Sequence, residues 1–512
     1  MRRQVSTEYR GYRTAGIRLM EEPIPLGELR GANFAEMADA IHWFDKAHLV
    51  MLVEEGLVSA DAGCAMLSAL AELEPDQVLS ARLQVGGGTH SGENYLIRVL
   101  GEDTGGQLHL GRSSGDLAEV GLRITMRKRL LRILAALVSF RQAILPLSRE
   151  HRLTVMPGYT HGQQAQPTTY GHWLAMWAHV MARDFERLSQ LYDRVNMSPA
   201  GAAILTGTDF PLNRHRTSQL MGFTAPLGNT LDAIHSHDLQ LEYISTLAVH
   251  AASMSRLADD ILLWATAEFG FVQVPDRYCS TSSIMMQKRN PQAPQATKAI
   301  AATATGAVTI AHMGFKGSTG LPIHERGYVE GQLWSISDEV SKSLGWWTDL
   351  LPGLGVNVER MAEMAGAHWA QATDLAGALV RERKMGWRTA HQIVGILCRL
   401  AEQQGLSPAD ATPELLDQAA VEYMGEPAGL SQVTITSALD ARRFPARRTL
   451  YGGPAETALE QELVRLHGQL EVDEASLSDR RSGLDEAAAL LTDAIAAICA
   501  APIQPVGTAT FP

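Results

Sequence analysis

The chain is poor in several things that would point its chemistry elsewhere. Its 512 residues include only four cysteines: Cys64, Cys279, Cys398 and Cys499. They lie far apart and form no C-x-x-C or Cys/His spacing, which argues against a cysteine-ligated metal module. Reduced thiols in a cytoplasmic protein are the expectation. Cys279 is expected to pack rather than to act as a nucleophile. No window holds eighteen uninterrupted apolar residues. The most apolar stretch, 130–147, is broken by Arg132 and Arg141, so no membrane span is predicted. The opening M-R-R-Q-V-S-T-E-Y-R lacks the apolar core of a secretion signal. There is no long basic run, and the formal net charge is −12. Nucleic acid and anionic membrane surfaces are therefore not expected partners. A local group of cations could still hold a small anion. Period-two alternation is scarce, and no internal repeat or low-complexity tract is visible.

What the chain does have is helix. Apolar residues make up 46% and charged residues 20%, and the length favours two or three domains. Segments 116–152, 170–195, 232–269, 293–311 and 329–351 place apolar residues at helical spacing and are rich in Ala, Leu, Met and Arg. Helices this long are expected to pack side by side in a bundle. After about residue 365 the periodic segments shorten. The expected division is an N-terminal domain (1–113), a central helical bundle (114–364) and a C-terminal helical domain (365–512).

Between the helices lie loops dense in Gly, Pro and polar groups. In H-L-G-R-S-S-G-D (109–116), Arg112, Ser113, Ser114 and a glycine precede a long helix. A guanidinium, hydroxyls and free N–H groups at a helix start suit a carboxylate. Ordinary capping by Ser114 or Asp116 explains the same residues. In Y-T-H-G-Q-Q-A-Q-P-T-T-Y-G-H (159–172), Thr160 and His161 sit in a loop. A histidine there can shuttle a proton near neutral pH, or simply face water. The stretch S-T-S-S-I-M-M-Q-K-R-N-P-Q (280–292) places Ile284, Met285 and Met286 among hydroxyls and cations. It reads either as an active loop with a Ser/Lys pair or as a polar helix entry.

Taken together, these segments resemble the fumarase/aspartase superfamily, and within it the argininosuccinate lyases. S-S-I-M-M-Q-K-R-N-P is similar to the superfamily signature, and M-P-G-Y-T-H-G-Q-Q-A-Q-P to the argininosuccinate lyase segment. H-L-G-R-S-S-G-D, G-T-D-F-P-L-N-R and A-T-D-L-A-G-A-L-V-R-E-R (372–383) add to the likeness, which spans roughly 30–470. The resemblance implies an all-α, three-domain fold whose long helices form a twenty-helix core in a homotetramer, with active sites shared between subunits. It implies elimination of an amine from a succinyl skeleton to give fumarate, with no metal or organic cofactor. Ser282 would be the base, acting as an alkoxide. Lys288 and Asn290 would hold the carboxylate that takes up charge, Thr160 and Ser113 would bind carboxylate oxygens, and His161 would stand near the leaving group. Arg112, Ser114, Ser283, Met285, Gln292 and Arg326 complete the implied substrate contacts, with Ile284 and Met285 as the apolar hinge of a closing loop.

The departures from the family pattern fall on one side of the substrate. G-R-S-S-G-D stands for G-R-S-R-N-D, Thr281 for a glycine and Met286 for a proline. Gln292 replaces an aspartate, and Gln295 the glutamate usually paired with the histidine. H-S-H-D (235–238) replaces S-D-R-D, and L-P-I-H-E-R-G-Y-V-E-G-Q (321–332) replaces a segment that contacts the arginine portion of the substrate. The groups for the fumarate half are kept and those for the leaving amine are changed. The expected function is a carbon–nitrogen lyase acting on an N-substituted aspartate, with His324, Glu325 and Arg326 reshaping the distal pocket. Argininosuccinate lyase itself and a non-catalytic, crystallin-like paralogue are the alternatives.

Overall fold

The computed structural model describes residues 34–74, 78–317, 320 and 323–500, with backbone alone at 323 and 324. The N-terminal stretch and the His324 side chain lie outside the described residues. The order begins with α1 (Phe34–Glu54) and α2 (Ala60–Ala71), followed by α3 (Ser114–Glu150), α4 (Tyr170–Val195), α5 (Asp238–Trp264), α6 (Gln292–Phe315), α7 (Ile323–Leu350) and α8 (Glu456–Ala500). The fold is all-α as expected, with strands only as short two-stranded pairs among the described residues.

Local chemistry sets the helix ends. Ser113 caps α3: its hydroxyl accepts from Gly115 N, while Asp116 Oδ1 accepts from Ser113 N at 2.9 Å. The reciprocal pair satisfies donors the helix start leaves open. The cap is thus one residue earlier than Ser114, and Asp116 is its boxed partner. The helix predicted over 232–269 is divided into Thr230–His235 and α5, because Ser236 is extended and His237 lies outside helical geometry. The segment predicted from 329 begins at Ile323, since Arg326 is buried among other charges rather than among apolar groups.

Long helices alternate in direction around α3. Arg123 Nη1 donates to Arg194 O at 3.0 Å, joining the start of α3 to the end of α4. Trp173 and Trp264 meet with ring centroids 4.6 Å apart and planes tilted by 52°, joining the start of α4 to the end of α5. His237 lies 4.5 Å from Phe315, and Arg326 pairs with Glu119. The bundle therefore has two ends: one holds Ser113, His237, Phe315 and Arg326, the other Trp173, Trp264 and Leu350. At 1.5 Å per residue, the 37 residues of α3 separate them by about 55 Å.

By hydropathy α3 could cross a membrane, with an 18-residue window averaging 1.6. Packing accounts for that apolarity, because 56% of the window is buried and Arg141 within it is ion-paired to Asp473 of α8. A second hydrophobic cluster, around Leu375, Leu379, Ile393, Leu397, Leu416 and Ile435, belongs to shorter helices between Ala372 and Ala438. The terminal α8 instead rejoins the main core through Leu459, Leu463, Leu466 and Leu470.

That return corrects the cysteine expectation. Cys64 of α2 and Cys499 at the end of α8 form a disulfide, with Cα atoms 5.0 Å apart across 435 residues of sequence. Spacing along the chain cannot reveal a pair made by two helices meeting in space. The cysteines accordingly lend no support to a reducing compartment. Cys279 and Cys398 are free thiols.

Candidate active site

The stretch around Ser282 is the tip of a hairpin. β1 (Cys279–Thr281) pairs antiparallel with β2 (Arg289–Pro291), with Ser280 opposite Asn290 and Thr281 opposite Arg289. Ser282 leaves the ladder immediately after its last pair. Its hydroxyl oxygen accepts from Met285 N at 2.9 Å and from Ile284 N at 3.3 Å. Two main-chain donors on one oxygen favour its anionic form. Lys288 and Ser283 are exposed beside it, and its own backbone N–H closes the turn onto Met285 O in the case of Lys288, at 3.1 Å. Ile284 is 82% and Met286 94% exposed, and Met285 is exposed too. The hairpin is tied down through Arg289, which donates to Val274 O at 2.9 Å and pairs with Asp276.

Thr160 and His161 occupy a second hairpin at the same end of the bundle. Val155–Thr160 pairs with Gln163–Thr169, and Thr160 lies opposite Gln163. The two connecting residues, His161 and Gly162, have φ of 55° and 70°. Both left-handed positions match the tight turn that joins twisted strands. His161 is therefore held at an exposed tip by backbone geometry. Gln164 donates to Met364 O, and Gln166 Nε2 reaches Thr373 Oγ1 at 3.1 Å, so two of the loop's glutamines brace it. His172 is structural, hydrogen-bonded to Thr168 Oγ1 at 2.9 Å and to Gly452 O at 3.0 Å. Among the described residues no hydrogen bond joins His161 to Gln295, which is exposed in the first turn of α6 next to Gln292.

Ser113 and Ser114 sit at the opposite end, half-buried at the start of α3. Arg112 beside them is buried, and its Nη1 donates to Asp45 Oδ1 at 2.7 Å. Asp45 also receives Arg82. Burial opposes its charge, but Arg82 and Arg112 hold the Asp45 carboxyl below its ordinary value. Arg112 thus positions the loop through Asp45 within this chain. Asp116, fully buried, joins Ser113 N to Gly201 N and so ties the 198–203 loop to α3. Burial pushes its pKa up to about 6. The sequence marks Asp116 only as a capping residue and does not mark Asp45 at all. The available signal for Asp45 was a lone acid in an apolar helix, W-F-D-K-A-H.

Arg326 lies at this same end but faces inward. It is buried and ion-paired to Glu119 of α3 and Glu330 of α7. Although burial works against its charge, the two carboxylates keep it protonated. Burial, with Glu330 adding to it, lifts the Glu119 pKa to about 7 despite the nearby Arg326 and Arg123. His237 is stacked on Phe315, and burial followed by the Arg326 charge lowers its pKa to about 4. The structure therefore gathers Thr160, His161, Ser282, Ser283, Met285, Lys288, Asn290 and Gln292 at one end of the bundle. Arg112, Ser113, Ser114 and Arg326 lie at the other.

Comparison with known proteins gives this arrangement a context. A lyase family matches residues 54–306, and the argininosuccinate lyase C-terminal family matches residues 369–444. The argininosuccinate lyase of Methanoculleus marisnigri is 35% identical over 470 residues, covering 89% of this chain and 93% of its own. That of Methanothermobacter thermautotrophicus is 36% identical over 411 residues, covering 80% and 88%. Among solved structures, EDDS lyase in complex with formate superposes with a TM-score of 0.83 at 30% identity, covering 91% of this chain and 92% of that one. A likeness of this depth along nearly the whole length decides the family: the chain belongs to the fumarase/aspartase superfamily and is a carbon–nitrogen lyase of its argininosuccinate lyase-like branch.

Proposed function

We propose that the chain eliminates an amine from an N-substituted aspartate other than argininosuccinate, releasing fumarate, in active sites shared between copies of a homotetramer. The observation that carries the reaction is the Ser282 hydroxyl, set at a hairpin tip under two main-chain N–H groups. As an alkoxide, Ser282 takes the proton next to a carboxylate. The electron pair left on carbon is spread into that carboxylate, giving a doubly negative intermediate that needs preorganised positive charge. Lys288 supplies that charge and the Asn290 amide a hydrogen-bond donor, both from the same hairpin. The electron pair then forms the carbon–carbon double bond as the carbon–nitrogen bond breaks. His161 protonates the departing nitrogen, while Thr160 and Ser113 hold carboxylate oxygens. Closure of the 282–288 loop, with its exposed Ile284 and Met286, would exclude water.

The choice of amine rests on the opposite end. The segment that differs most from argininosuccinate lyases contains Arg326, and its charge is already taken up by Glu119 and Glu330. Argininosuccinate as substrate is supported equally by the relatives' identities, just as the likeness to EDDS lyase supports another N-substituted aspartate. A panel of argininosuccinate, ethylenediamine disuccinate and simple N-alkyl aspartates, read by fumarate absorbance, separates the two. Fumarate from N-substituted aspartates with argininosuccinate left intact is the expected result. Efficient cleavage of argininosuccinate alone would overturn it.

A further inference from the structure

Beside the loop that carries Ser113 lies a cluster with no part in the elimination. His90 ends a short 3-10 turn (Gly88–His90), Glu93 lies in the first turn of the helix Ser91–Leu100, and His109 ends a second 3-10 turn (Gly106–His109). Glu93 Oε2 is 3.2 Å from His90 Nδ1 and 3.2 Å from His109 Nδ1. The three ligand atoms all lie within 4.8 Å of one another. Ring planes of the two histidines are tilted by 38° at a centroid separation of 5.1 Å, so both present the same nitrogen to one oxygen.

We propose that His90, Glu93 and His109 form a binding site for one divalent transition-metal ion of the zinc or cobalt class. Bonds of about 2.0–2.1 Å to imidazole and carboxylate in a tetrahedral site place donors about 3.3 Å apart, close to the spacing present here. Two imidazoles with one carboxylate select borderline metals over magnesium or calcium, which prefer oxygen. The site is partly enclosed: side-chain exposures are 4% for His90, 15% for Glu93 and 33% for His109. The His109 side leaves room for water as a further ligand. Arg112, the nearest fixed cation along the loop, is ion-paired to Asp45, which it shares with Arg82.

The role that follows is structural. His109 O accepts from Arg112 N at 3.1 Å, and His48 lies 2.9 Å from Leu110 O, so the turn bearing His109 leads straight into Ser113. A metal joining His109 to His90 and Glu93 would pin this turn to the helix Ser91–Leu100 and hold the Ser113 loop in register. It would take no part in proton transfer or bond cleavage.

The test uses full-length, untagged protein freed of metal by a chelator and titrated with cobalt(II), then with zinc(II). About one cobalt per chain is expected, with the visible absorption of a low-coordinate ion that zinc displaces. Glu93→Gln and His109→Gln should lose that absorption, and His215→Gln, at an exposed site elsewhere, should keep it. Zinc should raise the melting temperature of the unaltered protein and leave that of His109→Gln unchanged. No cobalt absorption in the unaltered protein, or equal binding by His109→Gln, would show that Glu93 merely accepts hydrogen bonds from two histidines. Should Glu93→Gln fail to fold, the partly exposed His109→Gln still decides the matter.

Discussion

At the scale of single residues, the proposal turns on a hydroxyl. Ser282 Oγ is placed by its own loop, through Ile284 N and Met285 N, and needs no distant partner to hold it. Removing it should cost chemistry without costing the fold. Ser282→Ala is expected to lower kcat by about 10²–10⁴-fold at an unchanged circular dichroism spectrum; retention of full turnover would dismiss it as the base. Asp116 makes the opposite case, because its effect is on stability. Its carboxyl moves from an ordinary 3.8 to about 6 in the fold through burial. Below the lower value folded and unfolded chains both carry the proton; between the two only the folded chain does. Stability therefore falls as pH rises through this window and stays lowered above it. Asp116→Asn cannot ionise, so between about pH 4 and about pH 7 it should gain roughly 2–3 kcal/mol relative to the unaltered protein. Urea denaturation at both pH values measures this, and a difference independent of pH would refute it. Ser282, Thr160 and His161 stand out as candidates in the sequence because each belongs to a short motif. Asp45 does not, since what gives it meaning is Arg112, 67 residues away.

Elements were read from period, and period fails where charge is buried. Helices α3, α4 and α6 came out close to expectation because their apolar residues recur at helical spacing over many turns, enough in α3 to outweigh the buried Glu119 and Arg141. The first turns of α7 were missed because Arg326 and Glu330 look like a solvated face in sequence, yet they form an inward lock onto Glu119 of α3. The disulfide between α2 and α8 was missed for a related reason, since only folding brings its ends together. The α3–α7 lock leads to a separate expectation. Arg326→Met leaves two buried carboxylates facing each other without a cation, which should destabilise the protein by about 3–5 kcal/mol. Arg326 holds the Glu119 pKa down at about 7, so losing the cation raises it further, and the deficit should shrink as pH falls towards 7 and the carboxyl of the variant takes up a proton. Thermal unfolding across pH reads both effects. Unaltered stability with a raised KM would instead make Arg326 a substrate contact.

For the whole molecule the decisive quantity is a length. Ser113 begins α3, while the hairpins of His161 and Ser282 stand at the other end of the bundle, about 55 Å away along its 37 residues. No substrate of a few ångströms spans that distance, so a site using Ser113 and Ser282 must draw them from different copies. Exposed Val249, Leu263, Ile310, Met313 and Tyr328 on the long helices provide apolar surface for such copies to cover. Mixed assemblies test this directly. A chain carrying Ser282→Ala retains its Ser113, and a chain carrying Ser113→Ala retains its Ser282. In assemblies formed from equal amounts, roughly one quarter of sites would take both serines intact from different chains. Two nearly inactive variants, unfolded and refolded together, should therefore recover about a quarter of full activity, whereas mixing without exchange should recover none. If each chain held a complete site, every site would carry one of the two substitutions and refolding together would restore nothing.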